Sequence, residues 1–326
     1  MILTVTPNPS LDRTYEVPAL ERGEVLRATG ERMDPGGKGV NVSRALAAAG
    51  HRTVAVVPLG GAPGALVAEL LAAQGIRVAP VPLTGHTRSN IAIAEPDGTL
   101  TKVNAPGPKL SPEESETLLA SVGRYDPAPE WIACCGSLPR GLAPEWYAEL
   151  VTRAHAAGAR IALDTSGPSL LAALTARPDV VKPNAEELAG AVGRPLATVG
   201  DAVKAARELR ESGAGAVLAS LGADGQLLVS DDGVWYGTAA VKAVRSDVGA
   251  GDASLAGFLA AGGEGPEALA AALAHGAAAV QLPGSEMPTP ADLDPSAVTV
   301  TADVPLDRAL RDLNDPKDPS EQGSPR

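Results

Sequence analysis

Short apolar runs alternate with longer Ala- and Leu-rich segments along most of this chain, and this alternation constrains its fold more than any other feature. Runs that are apolar throughout are typical of strands covered on both faces, and the segments between them are typical of crossover helices. The alternation therefore predicts an α/β fold with a mostly parallel central sheet. The predicted strands are Ile2–Thr6, Thr53–Pro58, Trp131–Cys135, Arg160–Asp164, Val180–Lys182 and Ala216–Ser220.

Glycines mark the ends of several predicted helices, because glycine adopts at low cost the left-handed backbone that closes a helix. Gly50, Gly75 and Gly158 occupy such positions. The predicted helices are Val42–Ala49, Ala62–Gln74 and Pro144–Ala157, with two more near the C-terminal end at about Ala250–Ala261 and Pro266–Gln281.

Some segments depart from this alternation. Thr14–Met33 and Thr87–Val103 predict a small, separate antiparallel sheet, and the turn Glu95–Gly98 predicts a hairpin within the second of them. Another hairpin is predicted around Asp231–Gly233. It indicates that antiparallel strands extend the edge of the otherwise parallel main sheet.

We expect one globular unit, residues 1–310, followed by a tail. Residues 311–326 are rich in Asp, Pro, Ser and Gly, and Leu313 is their one large apolar side chain. Burial therefore cannot offset the entropy cost of ordering them. The sequence predicts a disordered tail.

Charge and composition exclude several classes of partner. The formal net charge is −12, which has the wrong sign for binding nucleic acid, and aromatic residues make up only 2% of the chain. No apolar run is long enough to span a membrane, and the N-terminus has no basic segment typical of a signal peptide. The two cysteines, Cys134 and Cys135, are adjacent and cannot form an ordinary disulfide framework, so we expect a cytoplasmic location.

Val248–Asp252 is the sharpest local motif, and a helix of small residues follows it. Its two glycines allow the backbone to form an N–H-lined concavity at a helix N-terminus, which favours a phosphate. Asp252 lies inside this predicted anion site. Two interpretations stay open: Asp252 accepts a proton from a hydroxyl beside the transferred phosphate, or it is a first-turn carboxylate favoured by the helix dipole.

Asp34–Asn41 is a second glycine-rich motif before a predicted helix. Gly36 and Gly37 would let a ligand approach the backbone, while Lys38 and Asn41 would donate to hydroxyl or phosphate oxygens. It is not a phosphate-binding Walker loop, because glycine rather than Ser or Thr follows Lys38. The alternative is a plain loop between a strand and a helix.

Other motifs are weaker signals. Asp12 follows the first predicted strand, where it would either accept from sugar hydroxyls or be an ordinary turn residue. Arg88 would either bind a phosphate or lie solvated at the surface. Asn184 would cap a helix, or with Glu187 hold water around Mg²⁺. The glycines of Ser220–Gly225 would let a nucleotide's phosphates approach.

Taken together in this order, the motifs resemble the ribokinase-like carbohydrate kinase family, also called PfkB. The resemblance runs from about Thr4 to about Gly284, and Gly36–Leu46 and Asp247–Phe258 are similar to the two family signatures. It is strongest with the phosphosugar branch, which phosphorylates ketohexose phosphates. The motifs that carry this branch resemblance are Thr6–Asp12, Gly36–Gly39, Thr87–Asn90, Gly136–Pro139 and Asp164–Gly167.

The resemblance implies a three-layer αβα sandwich whose small β-sheet, formed by the irregular segments 14–33 and 87–103, is a lid over the sugar. The implied reaction is ATP- and Mg²⁺-dependent phosphorylation of D-fructose 1-phosphate to fructose 1,6-bisphosphate. Tagatose 6-phosphate and fructose 6-phosphate are the alternative substrates. The lid also implies a homodimer, because in many members it pairs with the lid of another subunit.

The resemblance also implies roles for individual residues. Asp252 would be the base, and the backbone of Gly249, Ala250 and Gly251 would stabilise the transferred phosphoryl group. The implied sugar contacts are Asp12, Gly36, Gly37, Asn41, Asn90 and Ser137, with Lys38 and Arg88 near the phosphate already on the sugar. The implied nucleotide contacts are Lys182, Asn184, Ser220, Gly222 and Gly225, with adenine against His275 and Ala279, and Glu187 would hold Mg²⁺ through water.

Two rival functions remain open at this point. One is a non-catalytic sugar or nucleotide sensor, which retention of the whole Gly249–Asp252 loop argues against. The other is a kinase of nucleosides or free sugars. Lys38 and Arg88 disfavour it, because a neutral substrate gives two cations nothing to neutralise.

Overall fold

A computed structural model describes residues 1–311 of the chain. Fourteen strands are present in this part of the protein. In chain order they are β1 (Ile2–Val5), β2 (Ser10–Glu16), β3 (Gly30–Gly36), β4 (Thr53–Leu59), β5 (Arg77–Pro82), β6 (Arg88–Ala94), β7 (Leu100–Val103), β8 (Trp131–Cys135), β9 (Arg160–Asp164), β10 (Val180–Val181), β11 (Ala216–Ser220), β12 (Gln226–Ser230), β13 (Gly233–Ala239) and β14 (Val298–Thr301).

Nine α-helices connect these strands within residues 1–311. They are α1 (Lys38–Ala48), α2 (Gly61–Ala73), α3 (Pro112–Ala120), α4 (Trp146–Ala156), α5 (Gly167–Leu174), α6 (Ala185–Val192), α7 (Val199–Glu211), α8 (Ala250–Ala260) and α9 (Gly265–Ala279). In the described part of the chain, none of them is long and apolar enough to cross a membrane.

The main sheet has ten strands in the order β14-β13-β12-β11-β10-β9-β8-β1-β4-β5. The seven strands from β11 to β5 are parallel to their neighbours, and β12, β13 and β14 pair antiparallel at one edge. The predicted mostly parallel sheet with an antiparallel edge hairpin is therefore confirmed. β14 was not predicted, because it joins this edge from a distant, Thr-rich segment.

Alternate side chains of the sheet enter different cores. On β8, Ile132 and Cys134 pack with the core that contains α4, α5 and α7, whereas Trp131, Ala133 and Cys135 pack with the core of α8 and α9. Successive side chains of a strand point to opposite faces, so helices cover both faces of the sheet. The predicted three-layer arrangement is confirmed.

A small four-stranded sheet, in the order β3-β2-β6-β7, lies apart from the main sheet, and we call it the lid sheet. The predicted hairpin across Glu95–Gly98 is present as β6 and β7. The predicted start of the first segment, Thr14, was wrong: β2 begins at Ser10, and β2 and β6 run parallel. Asp12 therefore lies within a lid strand, opposite Asn90, rather than in a turn.

Most predicted helices lie where expected, but α1 begins four residues before the predicted Val42. Its N-cap, Gly37, has a φ of 118°, a backbone conformation that favours glycine, so the helix can begin directly after a sharp bend. α3, α5 and α7 were not predicted.

Of the predicted tail, Arg311 is described, and its backbone N–H donates to Asp224 Oδ2 at 2.8 Å. The other tail residues lie outside the described part.

The order of the strands determines where a ligand can bind. From β1 the chain passes to β4 and β5 on one side and then returns to β8 on the other. Open α/β sheets bind ligands at such a reversal, outside the carboxyl ends of the strands. The segments that leave these ends begin at Thr6, Gly136, Thr165 and Lys182.

Candidate active site

The N-terminus of α8 forms the predicted anion-binding loop. Gly249 is its N-cap and has a left-handed φ of 80°, which favours glycine, and the first N–H groups of a helix have no acceptor within the helix. A Cβ on Gly251 would lie 3.3 Å from Lys182 Nζ, so an ammonium group faces the loop. Backbone donors, helix dipole and ammonium together suit a phosphate group.

A buried carboxylate joins two ammonium groups beside this loop. Asp164 lies at the end of β9 and is 1% exposed; its Oδ1 accepts a hydrogen bond of 2.7 Å from Lys38 Nζ, and its Oδ2 is 2.8 Å from Lys182 Nζ. Glu187 Oε1 lies 3.5 Å from Lys38 Nζ. We call Lys38, Asp164, Lys182 and Glu187 the charged cluster.

The charges of this cluster offset the cost of burial. Burial alone would raise the pKa of Asp164, but Lys182 and then Lys38 outweigh it and hold that pKa below its usual value. Burial alone would lower the pKa of Lys182, but Asp164 reverses the shift and raises it. Both lysines therefore stay charged, and two cations are held ready beside the anion-binding loop.

Asp252 lies in the first turn of α8 and is only 7% exposed. Burial and then the negative charge of Asp164 raise its pKa to about 7, against the opposing effects of Asn41, Lys182 and Lys38. Asn41 Nδ2 donates a hydrogen bond of 2.9 Å to Asp252 Oδ2. A carboxylate that exchanges its proton near neutral pH is suited to act as a general base.

A second group of polar side chains lies where the lid sheet meets the main sheet. Asp12 Oδ1 accepts hydrogen bonds from Ser10 Oγ at 2.6 Å and from Asn90 Nδ2 at 2.9 Å. Asn90 Oδ1 in turn accepts from the backbone N–H of Ala105 at 3.1 Å. The orientation of the Asp12 carboxylate is therefore fixed by two donors.

Arg88 braces the same region. Its guanidinium donates to the carbonyl oxygens of Ala105 at 2.9 Å and Asn8 at 3.0 Å, while its buried Nε has no hydrogen-bond partner among residues 1–311. Asn8 Nδ2 donates to Ser137 Oγ at 3.3 Å, and the buried Asn8 Oδ1 likewise has no partner in this described part of the chain. We call Asn8, Asp12, Arg88, Asn90 and Ser137 the lid cluster.

Lys38 and Arg88, which the resemblance groups around one phosphate, contact different partners. Lys38 is bound to Asp164 and Glu187 in the charged cluster, whereas Arg88 is bound to backbone oxygens in the lid cluster. Lys38 and Arg88 therefore have different partners, whereas the resemblance implies that both lie near the sugar phosphate. An ion pair with a residue 126 positions away cannot be inferred from local sequence.

The glycines before α1 let the two clusters approach each other. A Cβ on Gly36 would lie 2.2 Å from Asp12 Oδ2, and one on Gly37 would lie 2.7 Å from Thr6 Cγ2. Gly36 and Gly37 therefore allow the lid strands to pack against the end of β1. The same segment supplies Lys38 and Asn41 to the other side of the site.

On the opposite side of the charged cluster, Asn184 is the N-cap of α6. Its side chain accepts from the N–H of Glu187 at 2.7 Å, and the Glu187 carboxylate accepts from the N–H of Asn184 at 3.0 Å. The capping interpretation of Asn184 is therefore confirmed. A parallel bridge links Asn184 to Ser220 at the end of β11.

The remaining predicted nucleotide residues lie beyond Ser220. Gly222 and Gly225 have positive φ values of 61° and 106° in the turn between β11 and β12. His275 and Ala279 are on α9 and are buried, and His275 Nδ1 lies 2.9 Å from the carbonyl oxygen of Ala271. Burial lowers the pKa of His275, so its imidazole is neutral at pH 7.

A tightly bound metal has no protein cage in residues 1–311, where no group of three or more His, Cys, Asp or Glu side chains converges on one point. Mg²⁺ usually keeps several waters and binds proteins through one or two carboxylates together with substrate phosphates. The Glu187 carboxylate is the partly exposed carboxylate of the charged cluster and fits such indirect ligation.

Three polar residues of the site were not predicted from the sequence. Asp164 and Asn8 belong to the quoted motifs Asp164–Gly167 and Thr6–Asp12, and their positions just before or after strand ends were a signal for them. Arg44, on α1, donates to Asn41 Oδ1 at 3.2 Å and is also buried. In sequence it is only one polar residue of a predicted helix.

Comparison with known proteins gives consistent matches over most of the chain. The sequence pattern of the family described as pfkB family carbohydrate kinase matches residues 6–292. The 1-phosphofructokinase of Rhodobacter capsulatus is 40% identical over 305 residues, which cover 92% of this chain and 96% of that protein.

Solved structures agree with this match. Phosphofructokinase-2 from Escherichia coli, in complex with potassium, has a TM-score of 0.84 at 33% identity and covers 89% of this chain and 96% of its own. Another structure of that enzyme is described as its tetrameric inhibited form. Arabidopsis thaliana ribokinase, complexed with ribose and ATP, has a TM-score of 0.70 at 23% identity, covers 88% of this chain and 95% of its own, and shows the ribokinase-like fold alone.

Proposed function

Because this chain belongs to the pfkB family of carbohydrate kinases, we propose that it transfers the γ-phosphoryl group of ATP to the 6-hydroxyl of D-fructose 1-phosphate. The products are fructose 1,6-bisphosphate and ADP. The name of the 40% identical relative supports this substrate. The observation that carries the proposal is Asp252, a buried carboxylate whose pKa is raised to about 7 at the N-terminus of α8.

In the proposed reaction, the oxygen of the 6-hydroxyl forms a bond to the γ-phosphorus as the bond from that phosphorus to the ADP oxygen breaks. Asp252 accepts the proton of the hydroxyl and later releases it to water. Its pKa of about 7 lets it be ionised before transfer and protonated after it. Asn41 holds the oxygen Oδ2 by a hydrogen bond of 2.9 Å, so Oδ1 is the proposed proton acceptor.

The charge that develops on the transferred group is stabilised by backbone and side-chain donors. The N–H groups at the start of α8, from Gly249 to Gly251, are the proposed anion hole. Lys182 faces Gly251 and Lys38 shares Asp164 with it, so we propose that both ammonium groups act on the phosphates of ATP. For Lys38 this role replaces the sugar-phosphate contact implied by the resemblance.

The cofactor Mg²⁺ neutralises charge on the phosphates of ATP when it is bound. Glu187 is the carboxylate proposed to hold it through water, and the cap that it forms with Asn184 fixes its position. We propose that Ser220, Gly222 and Gly225 contact the nucleotide and that adenine lies against the part of α9 with His275 and Ala279. All of these except the two α9 residues lie at or just beyond the carboxyl ends of β10 and β11.

The lid cluster is the proposed sugar site. Asp12 accepts from sugar hydroxyls, with Asn90 bonded to Asp12 and Ser137 bonded to Asn8 as further sugar contacts, while Arg88 binds the phosphate that the sugar already carries. The unpaired Nε of Arg88 is buried and donates to an anion at no loss of an existing hydrogen bond. A lid that covers this site excludes water and so limits ATP hydrolysis.

Replacing Arg88 with Ala should raise the KM for the phosphosugar by about 10- to 100-fold, because a charge-assisted hydrogen bond contributes roughly 1.5–3 kcal/mol. The KM for ATP should change little, since the hydrogen bonds of Arg88 go to the carbonyl oxygens of Ala105 and Asn8 rather than to the charged cluster. Arg13→Ala is the matched control: Arg13 lies on the same lid strand as Asp12 but pairs with the exposed Glu31. Equal effects of the two substitutions on the sugar KM would contradict the role of Arg88.

The proposed function is tested by kcat/KM for fructose 1-phosphate, tagatose 6-phosphate, fructose 6-phosphate and unphosphorylated sugars, measured as ADP release with Mg-ATP. Fructose 1-phosphate should give the largest ratio. A preference for fructose 6-phosphate would follow the similarity to phosphofructokinase-2 instead. Binding of the sugars without ADP release would identify a sensor, and a preference for an unphosphorylated sugar would overturn the phosphosugar assignment.

We also propose a homodimer that forms through the lid sheet, in the cytoplasm. Met33, Ile91, Leu100 and Val103 of this sheet are exposed apolar side chains, which suits an interface with a second copy. Sedimentation velocity of the full chain tests the dimer. Cys134 and Cys135 are buried free thiols, as expected in a reducing compartment.

A further inference from the structure

Arg44 has a buried guanidinium that bridges three elements around the base. It is 8% exposed, and its Nε donates to Gln74 Oε1 at 3.0 Å just after α2. One NH2 group donates to Asn41 Oδ1 at 3.2 Å, and the other lies 3.9 Å from Asp34 Oδ1 on lid strand β3. Of these three partners, only Asn41 has a role in the proposed reaction, because it holds Asp252 Oδ2.

The contact with Arg44 determines which way the Asn41 amide points. An arginine side chain can only donate hydrogen bonds, so the group of Asn41 that faces it must be the oxygen. The Asn41 NH2 group is then turned toward Asp252 Oδ2, 2.9 Å away. Donor and acceptor directions along Arg44, Asn41 and Asp252 are therefore consistent in one orientation of the amide.

The opposite orientation would favour the wrong protonation state of the base. With the amide rotated, its oxygen would face Asp252 and would repel the ionised carboxylate but accept a hydrogen bond from the protonated acid. A protonated Asp252 cannot accept the hydroxyl proton of a substrate. The orientation imposed by Arg44 is thus the one that favours the active form.

Two further contacts involve Arg32 on lid strand β3, the strand whose Asp34 faces Arg44. Asp34 also accepts a hydrogen bond of 2.8 Å from Arg32 Nε on the same strand. The guanidinium of Arg32 packs so closely on Gly284 that a Cβ there would lie 2.3 Å from its NH2 nitrogen. The lid strand β3 is therefore in contact both with Arg44 and with the chain after α9.

We infer that Arg44 is a positioning residue for the proposed phosphoryl transfer: it fixes the Asn41 amide and thereby keeps Asp252 in the proton-accepting state. The inference rests on the proposed kinase function. The role of Arg44 is distinct from that function, because Arg44 reaches the base through Asn41.

Other charged groups around Asp252 do not depend on Arg44. Asp164 on β9 raises the pKa of Asp252, whereas Lys182 after β10 and Lys38 on α1 lower it. The hydrogen bond from Asn41 also lowers this pKa. Loss of Arg44 lets the amide rotate, so the pKa of Asp252 rises and the activity falls at pH values where the wild type is active.

Arg44→Lys tests this inference, because lysine keeps the charge but cannot bind Gln74, Asn41 and Asp34 at once. The acidic limb of the kcat/KM profile should move up by about one pH unit, and kcat at pH 7 should fall roughly fivefold, with the sugar KM changed much less. In an Asn41→Ala background, the same substitution should leave the limb where Asn41→Ala alone places it. Arg44→Gln, which can still donate to Asn41, should leave the acidic limb near its wild-type position.

Arg160→Lys is the control, because Arg160 is a partly exposed arginine that lies over Trp131 at the far end of the sheet. It should lower stability without moving the limb. A wild type without kinase activity would overturn the proposed function. An active wild type with the same acidic limb as Arg44→Lys, or a limb shift that persists fully in the Asn41→Ala background, would overturn the inference alone. If Arg44→Lys does not fold, Arg44→Met, which cannot donate to Asn41, gives the same comparison against the double variant Arg44→Met/Asn41→Ala.

Discussion

Replacing Asp252 with Asn is expected to lower kcat by roughly 10²- to 10⁴-fold while the KM for the phosphosugar stays near that of the wild type. Asn has nearly the same shape as Asp, so it keeps the packing at the start of α8 but cannot accept the hydroxyl proton. Steady-state kinetics with the preferred sugar phosphate, and direct binding of that sugar, check the two parts separately. Near-normal turnover would remove Asp252 from the role of base.

The same substitution is expected to stabilise the protein above pH 7. The pKa of Asp252 is about 7 in the folded protein and about 3.9 in an unfolded chain, so the folded state holds the extra proton between these values. Stability is therefore lost as pH rises from about 4 to about 7. Asn carries no charge, so the melting temperature of Asp252→Asn should exceed that of the wild type at pH 8 and approach it near pH 4.

Asp247→Asn is the matched control for both measurements, because Asp247 lies in the same loop but is exposed. It should leave turnover and its pH dependence nearly unchanged. In the wild type, kcat/KM should rise with pH and level off above about 7, where Asp252 is ionised. A wild-type profile that is flat from pH 5 to pH 8 would contradict the raised pKa.

Local sequence was sufficient for the elements that carry the site but not for its charge pairs. Trp131–Cys135, Arg160–Asp164 and Ala216–Ser220 were predicted with the bounds that the structure has, because apolar runs this short between turn residues favour strands over helices. The start of the lid at Ser10 was missed, since Pro9 and the polar run after it are typical of a turn. Pairing with β6 overrides that local preference.

The interactions that the sequence did not reveal join distant residues. Asn41 bonds to Asp252 across 211 positions, and Lys38 bonds to Asp164 across 126. Nothing near Lys38 indicates that its partner is a carboxylate on β9 rather than a phosphate. Such pairs depend on which loops the strand order brings to one edge of the sheet, and that order is a tertiary property.

The charged cluster at this edge of the sheet explains how a protein with a net charge of −12 can bind phosphate groups. An acidic protein that binds two phosphorylated substrates must hold cations locally, and Asp164 does so for Lys38 and Lys182. Without a carboxylate between them, the two ammonium groups would repel each other, and burial would lower the pKa of Lys182. Asp164 is therefore expected to be as important for the site as the groups that touch substrate.

Replacing Asp164 with Asn is expected to cost about 3–5 kcal/mol of folding free energy, because it leaves the buried Lys182 without its counter-charge. Chemical denaturation at pH 7 measures this loss. Asp179→Asn is the control: Asp179 accepts a backbone hydrogen bond of 2.8 Å from Ile161 on the same strand, but its side chain is about one-third exposed. Its loss should be clearly smaller, and equal losses would contradict the argument from the buried pair.

Two further measurements separate the charge effect from a general loss of packing. The double variant Asp164→Asn/Lys182→Met removes both buried charges and should recover much of the lost stability, because apolar replacements of a buried ion pair are often tolerated. It should not recover activity, since Lys182 is proposed to act on the phosphates of ATP. In the single variant, the negative charge that raises the pKa of Asp252 is gone, so the acidic limb of kcat/KM should move to lower pH. If the limb stays in place while stability falls, Asp164 stabilises the fold but does not affect the pKa of Asp252.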